Sequence, residues 1–133
     1  MSAPDRRAAL AAGLEAYDRG DAFLAHELLE PAWMGTRDTA ERELLQGLIK
    51  LAAAFVHAAR GNPGGVAKNL RGARERLANA EGTGDAATSV GARARFGIDV
   101  AQLLAAIDAR LDAPIDAGDP PIAIPRVAER ATP

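Results

Sequence analysis

Chemistry in this sequence concentrates in two short stretches. Between Phe23 and Trp33, the residues Phe23, His26, Leu29, Glu30 and Trp33 fall on one arc of a helical wheel. An imidazole and a carboxylate one turn apart thus lie among two aromatics and a leucine, and polar groups so placed must be paired wherever they are buried. One reading is a metal or acid–base site: His26 and Glu30 can reach a single ion, with His57 or Glu27 as further ligands. The other is a buried polar network at a helix crossing, in which His26 bonds a carboxylate or Gln46 and fixes the orientation of its helix. Two histidines and no cysteine make a weak ligand set. The network is therefore the expectation, with no metal cofactor; a divalent metal on His26, Glu30 and His57 is the alternative.

The second stretch is the polar stripe Gln46, Lys50, His57 and Arg60. It is either a solvated face or the surface over which the His26 helix packs, which would bring His26 to His57. Lys50 on the same stripe opposes a cation there. Arg71, Arg74 and Arg76 spread around their helix with Glu75 among them and read as a solvated surface, not a phosphate site. Gly61-Asn62-Pro63-Gly64-Gly65 precedes a helix, as phosphate loops do, but no Gly-Lys-Ser/Thr follows and no strand precedes it. There is no G-x-S-x-G nucleophile motif.

Helices must position these residues. Residues 4–19 read as a first helix, with Pro4 near its start, Gly20 after its end and Leu10, Leu14 and Tyr17 as its inner stripe. Asp21 is a good N-cap for a second, ending at Gly35, in which Pro31 predicts a kink or an early stop because it cannot donate to the Glu27 carbonyl. Asp38 and Glu41 form a capping-box pattern for a third, running to Arg60. Its apolar residues, Leu44 to Val56, cover so much of the circumference that residues 38–60 must be the central helix. Gly61, in a left-handed conformation, then turns the chain sharply into a fourth helix over 63–80, with Asn62 as its cap and Pro63 in its first turn. Residues 81–97 read as a glycine-rich loop. Asp99 caps a fifth helix, lined by Val100, Leu103, Leu104, Ile107 and Leu111 and ended by Pro114. The expectation is all-α: an irregular bundle of about five helices in one domain over 1–113, followed by a Pro-rich tail over 114–133, extended or loosely attached.

Composition agrees. The chain has 133 residues, of which 48% are hydrophobic, much of that alanine, and only 4% aromatic. That favours helices in close contact over a sheet. A net charge of −2 gives no reason to expect nucleic acid or an anionic membrane as partner. Without cysteine, disulfides and thiolate chemistry are excluded. No apolar run has the length of a signal peptide or a membrane span, which predicts a soluble, cytoplasmic protein.

Two segments also resemble the signatures of a known family. Phe23-Leu24-Ala25-His26-Glu27-Leu28-Leu29-Glu30-Pro31-Ala32-Trp33 is similar to "EAHE-x-LE-x-x-W". Leu45-Gln46-Gly47-Leu48-Ile49-Lys50-Leu51-Ala52-Ala53-Ala54-Phe55-Val56-His57, with Arg60-Gly61-Asn62-Pro63 and Gly65, is similar to "LQGLIQLAAA-x-x-H-x-x-x-GN-x-x-GA". Both belong to the bacterial and archaeal family called domain of unknown function 309, and the likeness spans roughly residues 10 to 78. It implies a compact all-α fold with no established activity. It also places the family's signature polar residues at His26, Glu27, Glu30, Trp33, Gln46, His57 and Asn62. The sequence departs from the pattern at Lys50, commonly Gln in the family, and at Pro31.

Two functional expectations follow. The first is a non-catalytic helical module that binds a protein or small-molecule partner in a groove beside the second helix. The second is a metal-assisted hydrolase or related enzyme using His26, Glu30 and His57. Convergence of those three on one open cavity would favour the enzyme; dispersal would favour the module.

Overall fold

A computed structural model describes residues 1–82 and 96–127, among which there are five helices: α1 Ala3–Asp18, α2 Ala22–Met34, α3 Thr39–Ala59, α4 Pro63–Gly82 and α5 Val100–Leu111. The architecture is the expected all-α bundle, and no helix among the described residues is long and apolar enough to cross a membrane. Most of the loop expected over 81–97 lies outside the described residues. Its first two positions, 81 and 82, instead complete α4.

α3 is the centre. It buries residues around most of its girth, among them Leu44, Leu45, Leu48, Leu51, Ala52 and Phe55. α2 and α4 pack on α3, α1 packs on α2, and α5 packs on α4. α1 also reaches α3 at both ends. Tyr17 meets Phe55 edge-on with ring centres 6.4 Å apart, and the Arg6 guanidinium bonds the buried Glu41 carboxylate at 2.6 Å. That contact corrects the capping-box expectation. Asp38 is the N-cap of α3, but its side chain makes no capping bond, and Glu41 is drawn across to α1.

The proline in α2 does not stop the helix. Pro31 sits in the last turn, where a single intrahelical bond is lost, and the Gly35 N–H closes the helix on the Pro31 carbonyl at 2.9 Å.

At the joint between α3 and α4, Gly61 has φ of +68°, the left-handed conformation expected of it. The chain folds back so that α4 lies along α3's polar stripe, a role the sequence offered to α2. Small residues permit this. A Cβ on Gly72 would come within 2.9 Å of Lys50, and one on Gly65 within 2.5 Å of the His57 ring. The two contacts are two turns apart on both helices, a matched antiparallel seam.

The tail makes a turn at 116–119, where the Asp119 N–H donates to the Asp116 carbonyl at 3.0 Å, and then runs extended to residue 127, seated on the bundle. Ile122 and Ile124 are buried, and the Tyr17 hydroxyl donates to the Ile122 carbonyl at 2.6 Å. Beyond them Arg126 forms an antiparallel bridge with Ile98 and an ion pair with Asp18 at 2.8 Å. Burial pushes the Tyr17 phenol well above its ordinary range, with the nearby Arg110 opposing and Asp18 reinforcing the shift.

Candidate functional site

The first turn of α2 is fixed by Asp21, whose carboxylate accepts from the Leu24 N–H at 3.0 Å. The helix is then oriented by its smallest residues. Ala25, Leu29 and Ala32 are buried, while Leu24, Leu28 and Trp33 pack partly against the core. Alanine lets α2 approach its neighbours closely, so the buried face is centred about a quarter-turn away from the arc that the aromatics suggested. Phe23 is consequently exposed, and the side chains of His26 and Glu30 are 32% and 48% exposed.

Among the described residues, the buried network expected around His26 is therefore absent. Its Nδ1 stands 3.9 Å from both Glu27 Oε1 and Glu30 Oε2, within ion-pair reach but beyond hydrogen-bond distance. These contacts are confined to α2 and join no second helix.

The remaining signature residues occupy two other places. The Trp33 ring lies under the Arg42 guanidinium, 4.8 Å from the ring centre. The same guanidinium donates to the carbonyls of Trp33 at 3.2 Å and Thr36 at 3.0 Å, tying the last turn of α2 to the chain just beyond it. Gln46 joins Trp33, Arg42, Glu43 and Arg76 around a small cleft of about 230 Å³, one side of which is fixed by the Arg76–Glu43 ion pair at 3.2 Å.

His57 lies at the α3–α4 joint. Asn62 Oδ1 accepts the Gly65 N–H at 3.1 Å, which turns Nδ2 toward His57 Nδ1 at 3.2 Å. The amide donates there, so the imidazole accepts through Nδ1 and carries its proton on Nε2. His57 is thus held at the joint, apart from the His26–Glu30 pair on the outer side of α2. Among the described residues no three His, Cys, Asp or Glu side chains converge to hold a metal ion.

What α2 presents instead is an open stripe. Phe23, Glu27, Glu30 and Met34 recur at steps of four, three and four residues along its outer side. Phe23 is 59% and Met34 68% exposed. Beside them runs a shallow groove of about 460 Å³ lined by Glu27, Glu30, Pro31, Met34 and Gly35. Met1, itself exposed, lies against Gly35 at the same end.

Sequence reasoning missed Arg6, Glu41, Arg42, Glu43 and Arg76 as partners. All engage across different elements, where helical spacing carries no signal. The exposed stripe is a four–three–four repeat in the sequence, overshadowed there by the arc that Phe23 and Trp33 share.

Residues 10–69 match the model of a family described as Domain of unknown function (DUF309), a span that contains all seven signature residues. No curated protein and no solved structure matches the chain.

Proposed function

Residues 10–69 of this chain belong to the domain of unknown function 309 family, and from that premise we propose that the chain is a non-catalytic helical interaction module of the cytoplasm, docking a protein partner on the outer face of α2. The observation that carries the reading is the pair of large apolar side chains, Phe23 and Met34, left exposed on one stripe of a helix whose other side is buried. Aromatic and methionine side chains are enriched at the centres of protein interfaces, and here one of each stands exposed at either end of a single helical stripe. A protein suits the groove better than a small molecule, because it is an open furrow and sites for small ligands enclose most of the ligand's surface. The dispersal of His26, Glu30 and His57 favours this module over a hydrolase that would need them together.

Site-specific photo-crosslinking in the cell tests it. A photoreactive residue at position 23 or 34 should yield one discrete adduct, and the same residue at the exposed position 71 or 105 should yield none. Adducts of equal yield from all four positions, or from none, would overturn the reading.

A further inference from the structure

Resting on that reading of the α2 face, we infer that its partner is a cationic amphipathic helix, which sets a lysine or arginine between Glu27 and Glu30 and apolar side chains against Phe23 and Met34. Four observations point there. The first is charge. Glu15, Asp18, Glu41, Glu43 and Asp108 each pair with an arginine of this chain. Among the described residues, Glu27 and Glu30 have His26 alone within ion-pair reach, at 3.9 Å. Their side chains are 57% and 48% exposed, and none of the described residues that line the groove beside them is cationic. Two carboxylates one turn apart on one face suit an incoming guanidinium, which can bond both at once.

The second is length. Phe23 and Met34 lie eleven residues apart, roughly 16 Å along a helix axis, the span of three turns. A partner helix offers apolar anchors over that distance with a polar residue between them. The third is backbone chemistry. The middle of α2 spends its N–H and C=O groups on its own helix, so an added strand would find nothing to pair with, and recognition must run through side chains. The fourth is adaptability. The chain's two methionines, Met1 and Met34, are both exposed at one end of the stripe, and unbranched thioethers conform to varied apolar partners. The same carboxylates repel an anionic bilayer or nucleic acid. A symmetric pairing of two copies through this face would set like charges together.

A display library of random helix-favouring peptides, selected on the full chain, tests the inference. The selected peptides should carry Lys or Arg three or four residues from Leu, Phe or Met. Their affinity, followed by the fluorescence of the single tryptophan, should fall about tenfold or more in Glu27→Gln/Glu30→Gln, the change expected for losing one charge pair of about 1.4 kcal/mol. It should also weaken with added salt. Peptides that lack a cation, or keep their affinity for that variant, yet lose it in Phe23→Ser/Met34→Ser would overturn the cationic partner and leave the docking face standing. Peptides indifferent to both variants, or no enrichment at all, would overturn the docking face with it. Unchanged thermal melts of both variants establish that any loss belongs to the surface and not to unfolding.

Discussion

The α3–α4 seam and the outer face of α2 hold their histidines in opposite ways. At the seam, His57 is fixed from two sides: Asn62 donates to its ring, and Gly65 gives it room that a single methyl group would fill. On α2, His26 faces two carboxylates of its own helix at the limit of ion-pair distance, with a third of its side chain in solvent. The two histidines fall in the two motifs that resemble one family's signatures, yet one is part of how two helices meet and the other borders a surface that meets nothing among the described residues. Motifs of one family therefore do not imply one site. If the contrast is right, substitutions around α3 should cost stability steeply, and substitutions along α2's outer stripe should cost almost none.

The largest effect belongs to the centre of α3. Phe55 is 4% exposed and lies against Tyr17, so Phe55→Ala should destabilise by about 3–5 kcal/mol, the usual range for truncating a buried aromatic. Urea unfolding reads it directly; a loss below about 1 kcal/mol would remove α3 from the centre of the fold.

Next comes the seam itself, where two adjacent glycines should respond with opposite signs. A Cβ on Gly65 would sit 2.5 Å from His57 Nδ1 and 2.8 Å from Asn62 Nδ2, whereas one on Gly64 meets only Asn62 Oδ1 at 3.6 Å. Gly65→Ala should therefore cost about 1–2 kcal/mol by forcing the imidazole aside. Gly64→Ala should be neutral or stabilise by up to about 0.5 kcal/mol, because alanine is the better helix former. His57→Ala should relieve much of the Gly65→Ala penalty in the double variant. Additive losses would mean that the glycine serves something other than the histidine.

The tail gives a smaller effect with a pH signature. Tyr17→Phe removes the bond to the Ile122 carbonyl and should cost about 1 kcal/mol. Because burial raises the folded-state pKa of this phenol, the folded state resists losing the proton that the unfolded chain gives up at about pH 10. The stability that depends on a neutral Tyr17 is complete below that pH and is lost as pH rises above it. Chemical unfolding repeated at increasing alkaline pH should show a decline in the wild type that is shallower in Tyr17→Phe. Parallel declines would place the phenol in solvent and detach the tail.

The residues behind these effects differ in how plainly the sequence announces them. α3 is legible because its apolar residues recur over more than three turns, Leu44 to Val56, and Gly61 is legible because a glycine two residues before Pro63 has few other uses. The α2 wheel was misleading for a physical reason. Phe23 and Trp33 weigh heavily in any hydrophobicity pattern, but alanines permit the closest approach of helices, and in a core this rich in alanine they mark the buried side. The Arg6–Glu41 and Arg76–Glu43 pairs join residues more than thirty positions apart. Spacing within one helix says nothing about such contacts. The seating of Ile122 and Ile124 was hidden likewise, because prolines exclude a helix without saying whether an extended chain is buried.

The smallest expected effect is the one that divides the two regions most sharply. Had His26 been sealed at a helix crossing, deleting its ring would strand a buried partner, at about 1–3 kcal/mol. Its nearest carboxylates are instead half-exposed, on its own helix and beyond hydrogen-bond distance. Exposed pairs of that kind contribute little, since water and salt replace them readily. His26→Ala should therefore change unfolding stability by less than about 0.5 kcal/mol, the range of ordinary surface substitutions. His57→Ala, which deprives Asn62 of its acceptor, should cost about 1 kcal/mol. Urea unfolding of the two variants side by side makes the comparison. Equal losses would erase the distinction between seam and surface, and a larger loss at His26 would reverse it and return that residue to the interior.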